Sequence, residues 1–427
     1  MTTSKINSRA TNIGQEMREV LSGGIIPFWL ARGIDTDCGG YLVSFDENGI
    51  HNGQDNKHIV TQTRMLWGFS HLYNYCLPAD MERVKAAAKK GYDFFIEYFW
   101  DKSEGGFFWE TKRDGTFIDS SKLTYGQSFA IYALCEYYLQ YKDKSALDYA
   151  ETVFDLLQKY AADTYNGGYY ENLEPDWTVS PYGSYGGDRK SLDIHMHLME
   201  SFTLLYQATG KEIHRRKLME LIEIILWHMV NQIEGYGYNQ FDLRFNRIPA
   251  INIKRTWNSD RQANETISVP VDTTSYGHNV ELSWLLDKAV KLLQTDNPEY
   301  TSIIGKLLDY SLKYGYDYEF GGVYRDGKPD GTVLVKDKEW WQNFESLVGY
   351  LNGYVQYGEE KYFESYELTW KFIKNKFMNF KTGESRQLLD RQGNTIIGDM
   401  GNYWKAIYHT GRALAECMDR TEIIKNI

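Results

Sequence analysis

The chain has 427 residues, 42% hydrophobic and 15% aromatic, with only 8 Pro and 4 Cys; this mixture buries a large core and excludes disordered, collagen-like and disulfide-stapled classes. A net charge of -11, from 47 Lys+Arg against 58 Asp+Glu, excludes a protein whose binding starts on nucleic-acid phosphates. The polar start from Met1 to Gln15 has no signal-peptide pattern, and the apolar stretch Leu221 to Val230 is short and carries Glu223 and His228, so a cytoplasmic protein with no membrane partner is expected.

Helical periodicity predicts twelve helices. In chain order they run from Ile13 to Trp29, Gln62 to Tyr75, Val84 to Trp100, Tyr125 to Tyr141, Ala146 to Tyr160 and Asp193 to Ala208. The second half adds Ile213 to Val230, His278 to Leu293, Ile303 to Tyr314, Glu339 to Tyr357, Tyr362 to Phe377 and Asn402 to Met418. The first is interrupted by Gly23, Gly24 and Pro27. After each odd helix comes a glycine-marked turn with a hairpin signature: Gly39-Gly40, Gly105-Gly106, Gly167-Gly168, Gly235-Tyr236-Gly237, Gly321-Gly322 and a degraded copy at Thr382-Gly383. The unit is helix, hairpin, helix, repeated six times, and the even helices are apolar on more than one side. These features predict an all-α fold, an (α/α)6 barrel of twelve helices with short β-hairpins, in which residues 1–427 form one domain.

The polar residues hardest to explain as core fall at the starts of the even helices: Arg64, Tyr125, Gln127, Asp193, His195, His197, His278, Glu281, Trp340, Trp341, Glu345, Trp404 and His409. In a ring of inner helices these starts converge on one mouth, with the positive ends of the dipoles. A lone His on an apolar face is ordinarily a satisfied core residue, and His71 keeps that reading; His51, His58, His214 and His228 read as loop or surface. His278 precedes Glu281 by one turn, so that carboxylate is positioned to orient its imidazole. His195 and His197 point about 200° apart and cannot share an ion. No zinc-binding spacing is present and the scattered Cys38, Cys76, Cys135 and Cys417 read as reduced, mostly buried thiols, so neither a metal nor a cofactor is expected.

Strings across the whole chain resemble the N-acylglucosamine 2-epimerase superfamily, which includes cellobiose and mannose 2-epimerases and mannose isomerases. They are Pro27-Phe28-Trp29, Thr63-Arg64-Met65-Leu66-Trp67, Tyr125-Gly126-Gln127, His195-Met196-His197-Leu198-Met199-Glu200, Ser275-Tyr276-Gly277-His278-Asn279-Val280-Glu281, Lys338-Glu339-Trp340-Trp341 and Trp404-Lys405 to Tyr408-His409. The resemblance implies an (α/α)6 barrel, His278 and His409 as the acid/base pair, and Arg64, His197, Glu281, Trp341 and Trp404 as residues that contact the sugar or support the histidines. Tyr125 joins them as a pocket wall. Asn279 stands where the family has Asp, Asp193 where the cellobiose enzymes have Asn, and Gln342-Asn343-Phe344-Glu345 follows the Trp pair. These departures bear on substrate identity.

The expected reaction interconverts D-mannose and D-glucose. After ring opening one imidazole removes the C2 proton, the enediolate is stabilised by Arg64, and the other imidazole returns a proton to the opposite face. Glu281 would hold the His278 tautomer, and His197 would assist at O1. A small sugar is the expected partner; the sequence says nothing firm about oligomeric state. The alternatives are a cellobiose or mannobiose 2-epimerase, a mannose isomerase protonating the enediolate at C1, a glycoside hydrolase using two of Glu281, Glu345 and Asp193, and a non-catalytic sugar-binding protein. The connection from Gln240 to Tyr276, carrying Arg244, Arg247, Lys254, Arg255 and Arg261, is far longer than usual. It is expected to cover the site and crowd out a second sugar.

Overall fold

A computed structural model describes residues 3–256 and 272–426. Helix α1 runs Thr3–Val20, passes through a π-helical turn at Leu21–Ile25 and continues as Ile26–Arg32. It begins ten residues earlier than its periodicity predicted. The π turn absorbs Gly23 and Gly24, and Pro27 falls in the first turn of the segment that follows, a position compatible with its fixed φ. The other helices are α2 Ile59–His71, α3 Met81–Phe94, α4 Thr124–Tyr141, α5 Lys144–Leu156, α6 Leu192–Thr209, α7 Glu212–Ile224, α8 Tyr276–Leu293, α9 Pro298–Tyr310, α10 Trp340–Tyr357, α11 Glu360–Phe372 and α12 Ile407–Lys425.

The even helices pack on one another in the order α2, α4, α6, α8, α10, α12, and α12 returns to α2. Each of α3, α5, α7, α9 and α11 lies against the even helix before it, and α1 packs on α12. This is the (α/α)6 barrel. The division follows from the side chains: α10 is buried continuously from Trp340 to Gly353, whereas α3 buries only one face. Small residues bring inner helices together. A Cβ on Gly68 would lie 2.2 Å from Ile407 Cγ2, so α2 and α12 touch there only because Gly68 has no side chain.

Each connection from an odd to an even helix is two tight turns in succession. The first closes bridges seven residues apart, at Ile34 to Tyr41, Trp100 to Phe107, Ala162 to Tyr169, Val230 to Gly237, Tyr316 to Val323 and Met378 to Ser385. The degraded sixth copy thus keeps the geometry. An Asp or Asn opens each turn and its side chain accepts backbone N–H groups two or three residues on, as at Asp35, Asp101, Asp163, Asn231, Asp317 and Asn379. The second glycine of the pair is required by an inner-helix side chain. Asn343 Oδ1 accepts from Val323 N, and a Cβ on Gly322, which has φ +80°, would sit 2.1 Å from that oxygen. Gln62, Gln127, His195 and Asn279 make the equivalent contacts to Tyr41, Phe107, Tyr169 and Gly237.

A buried lysine two residues before an even helix reaches back to the turn. Lys57 meets Asp35 at 3.0 Å, Lys122 meets Asp101 at 2.8 Å, Lys190 meets Asp163 at 2.8 Å and Lys338 meets Asp317 at 3.1 Å. In the sixth repeat Lys405 turns to Glu384 at 3.5 Å. The fourth repeat has Asn231 and Thr274 at these positions, both uncharged. Burying such ions costs several kcal/mol each unless they are paired and hydrogen-bonded, which the carboxylates and adjacent carbonyls supply. Of the thiols, Cys135 and Cys417 are buried, Cys76 is half-buried and Cys38 is exposed. No helix among the described residues is long and apolar enough to cross a membrane.

Candidate active site

Every nominated residue with an assigned role lines one cavity of about 330 Å³ at the starts of the even helices: Arg64, Tyr125, Asp193, His197, His278, Glu281, Trp341, Trp404 and His409, together with Trp340. Gln127 and His195 do not reach it. Both are clamps of the glycine turns, and His195 also meets Ser191 O and Glu171 through Nδ1. The two-residue spacing sends His197 the other way, into the cavity.

Local structure fixes each group. Ser191 caps α6, and Asp193 lies in that helix's first turn, where the dipole favours a carboxylate. Ser275 caps α8 by accepting from His278 N. Arg64 NH1 donates to Trp404 O at 2.7 Å and NH2 to Tyr125 OH at 3.1 Å, while its guanidinium lies over Phe129 and Tyr408. Its buried Nε has no hydrogen-bond partner among the described residues. The Trp341 ring packs against both candidate acid/base groups, with centroids 4.5 Å from His278 and 5.8 Å from His409.

The two imidazoles have opposite surroundings. His278 Nε2 lies 3.4 Å from Asp193 Oδ1, and His197 Nε2 is at the same distance from that oxygen. Burial opposes ionisation of Asp193, but His278 and His197 outweigh it and hold the carboxyl well below the usual range. Burial also works against charge on His197, yet hydrogen bonds to Asp193 and Glu200, with the charge of Glu281, raise it to about 9. His409 is pushed well below its ordinary value by burial, then by Arg64 and Arg412. Its Nδ1 meets Glu345 Oε1 at 2.7 Å.

Glu281 does not hold His278 as expected. Its Oε1 accepts from Arg412 at 2.5 Å, and Asp193 is the carboxylate beside His278; Glu281 Oε2 is buried without a partner among the described residues. The partner that takes this carboxylate is the guanidinium of Arg412, which comes from α12. Glu345 lies behind His409 with both oxygens engaged, so it does not face a glycosidic bond together with Glu281. Glu281, Glu345 and His409 present ligand atoms within 4.8 Å of one another, but Arg412 already supplies the cation between the two carboxylates. His58 and His214, expected at the surface, are buried: His58 stacks on Tyr403 at 3.9 Å and His214 bonds Thr209 Oγ1 at 2.7 Å. His71, read as a satisfied core residue, meets Glu136 of α4 at 2.9 Å. Sequence reasoning assigned no role to Glu200 and did not single out Arg412; their signal was an ionisable side chain set directly beside short apolar runs, Leu198-Met199 and Ala413-Leu414-Ala415.

A second cavity, of about 570 Å³, shares Asp193 and His278 with the first. Gln240, Ile253 and Thr256 of the long connection line it. The described part of that connection is strapped down, with Gln240–Asp242 paired to Arg189–Ser191, Lys254 against Tyr185, Arg255 bridged to Asp119 at 2.9 Å and Arg247 3.6 Å from Asp272. It borders the outer cavity without filling it. Arg261 lies outside the described residues.

Comparison with known proteins addresses the chain as a whole. The family model for N-acylglucosamine 2-epimerase matches residues 40–413. A cellobiose 2-epimerase of Dictyoglomus turgidum is 28% identical over 417 residues, covering 95% of this chain and 98% of that protein. A D-mannose isomerase of Marinomonas mediterranea is 26% identical over 401 residues, covering 92% and 93%. The solved structure of cellobiose 2-epimerase from Spirochaeta thermophila superposes with a TM-score of 0.85 at 28% identity, covering 98% of each chain. Fold and site together define a carbohydrate epimerase or isomerase built on a helical barrel. The chain belongs to the N-acylglucosamine 2-epimerase family.

Proposed function

We propose that the protein is a 2-epimerase interconverting D-mannose and D-glucose through an enediolate. The observation that carries this reading is the pair His278 and His409, packed on one Trp341 ring and facing opposite electrostatic surroundings. The sugar ring opens as the O1 hydroxyl proton passes through solvent to the ring oxygen O5, and His197, held protonated near neutral pH, hydrogen-bonds the O1 that becomes the carbonyl oxygen. The C1 aldehyde then acidifies the C2 proton. His409, kept neutral by burial and two guanidinium groups, removes it, and the negative oxygen of the enediolate is met by Arg64. His278 returns a proton to the other face of C2. Glu281 Oε2 accepts a sugar hydroxyl, and Trp341, Trp404 and Tyr125 offer apolar faces to the ring's C–H groups.

Replacing His278 or His409 by Asn is expected to lower kcat by about 10²- to 10⁴-fold, the usual contribution of a positioned acid or base, and the product formed in D2O should carry deuterium at C2. Near wild-type rates in either variant, or no label at C2, would sink the scheme. Product analysis by NMR separates epimerisation, giving mannose and glucose, from protonation at C1, which gives fructose; the kinship with a D-mannose isomerase makes that comparison necessary. A second substrate reading has its own support. The outer cavity opens beside Asp193 and His278, and relatives include cellobiose 2-epimerases. Turnover of mannose compared with cellobiose and mannobiose decides it, since preference for a disaccharide overturns the monosaccharide assignment.

A further inference from the structure

Beneath the cavity, one turn after His409 on α12, lies Arg412. It is completely buried and does not line the cavity. Its guanidinium contacts three carboxylates from three other inner helices: Glu200 of α6, Glu281 of α8 at 2.5 Å and Glu345 of α10 at 2.7 Å. Tyr408 completes the set and lies with Trp284 against the guanidinium face. Two of these carboxylates connect directly to cavity imidazoles. Glu200 Oε2 meets His197 Nδ1 at 2.9 Å and Glu345 Oε1 meets His409 Nδ1 at 2.7 Å.

The Glu345 contact allows two proton arrangements. With Glu345 ionised, His409 donates Nδ1–H and its Nε2 lone pair is free for the sugar. With Glu345 protonated, the carboxyl donates to Nδ1 and Nε2 carries the hydrogen, which disables His409 as a base. We propose that Arg412 is a positioning residue for catalysis, holding Glu345 as a carboxylate so that His409 keeps its Nδ1 proton and presents a basic Nε2. This rests on the two-imidazole reading above. Burial pushes the Glu345 carboxyl up, and the charges of Glu281 and Glu200 add to it; the Arg412 guanidinium, which donates to Glu345 Oε1 at 2.7 Å, is the largest influence holding it down. Around His409 stand Arg64 of α2, His197 of α6, His278 of α8 and Glu345 of α10, and Tyr132 of α4 also faces the Arg412 charge. Trp284 Nε1 donates to Glu345 Oε2 at 3.2 Å and assists the ionised form.

The test is kinetic. Arg412→Met should lower kcat at pH 7 at least tenfold with KM changed less than threefold, because Arg412 lies outside the cavity. Its kcat profile should move by about one pH unit or more to the alkaline side on the acid limb, since both Glu345 and His409 then hold a proton more firmly. Arg412→Lys keeps one charge but loses the three-way contact, and should fall between Met and wild type. If Arg412→Met does not fold, the Arg412→Lys and Glu345→Gln pair replaces it. Glu345→Gln should lower kcat alone, and adding Arg412→Lys to it should cost little more, a non-additive cycle. A folded Arg412→Lys enzyme with unchanged kcat and pH profile, or additive effects in the cycle, overturns the proposal. If His278→Asn and His409→Asn are inactive while Arg412→Lys behaves as wild type, only the role of Arg412 fails; if those histidine variants stay active, the two-imidazole reading fails first.

Discussion

His197 bridges two carboxylates, Asp193 on the cavity side and Glu200 beneath, and its proton is retained to about pH 9. A pKa raised in the folded state contributes stability that is full below the ordinary value near 6.5 and is lost as pH rises through 9. Activity should follow the same proton: rates are expected to fall above about pH 9, and His197→Gln should lose that limb while becoming slower throughout. An unchanged alkaline limb in the variant would remove His197 from the reaction. At this scale the sequence revealed the residues in the first turns of the inner helices, because those turns converge whatever the loops do. Arg412 and Glu200 escaped because their partners lie on other helices: Glu200 is 212 residues from Arg412 and Glu345 is 67. Spacing along one helix cannot show such contacts. The same limitation misdirected Glu281, whose neighbour one turn away was His278 but whose stronger partner came from α12.

Among the elements, the turn before each inner helix joins one hairpin to the barrel with a buried Lys–Asp pair in four of the six repeats and a Lys–Glu pair in the sixth. Lys122 and Asp101 are representative, with side chains 0% and 8% exposed. Burial raises the Asp101 pKa, but Lys122 and hydrogen bonds from Ser103 and Glu104 bring it down to about 2. That stabilisation is present above the ordinary carboxylate value and fades as pH falls toward 2. Lys122→Met should strand Asp101 and destabilise the protein by about 3–5 kcal/mol, measured by denaturant unfolding at pH 7, with a smaller loss in acid. A loss below about 1 kcal/mol would mean that the pair is dispensable. The glycine pairs were legible as turns, whereas the reason for the second glycine was not. It makes room for a polar inner-helix side chain, and that same role explains Gln127 and His195, which looked like site residues because they are polar and face away from the outer layer.

For the whole molecule, the closed ring ties first and last helices together. Glu16 of α1 accepts from Trp370 Nε1 at 2.7 Å and Lys374 Nζ at 2.9 Å, and α1 covers α12. Because every inner helix needs both neighbours, thermal unfolding is expected as one calorimetric transition for the chain; two separated transitions would contradict a single cooperative unit. The barrel could be counted from sequence, since twelve periodic segments and six glycine turns repeat without tertiary knowledge. The outer cavity could not, because it arises from Arg189, Asn239 and Ile253 brought together across distant turns. The fourth repeat has Asn231 and Thr274 in place of a carboxylate and lysine, so the described residues beside the outer cavity, Gln240, Ile253 and Thr256, adjoin a turn without the buried ion pair found in its neighbours. Substitutions at these three positions are therefore expected to retune substrate range while the riveted turns and the chemistry beneath stay fixed.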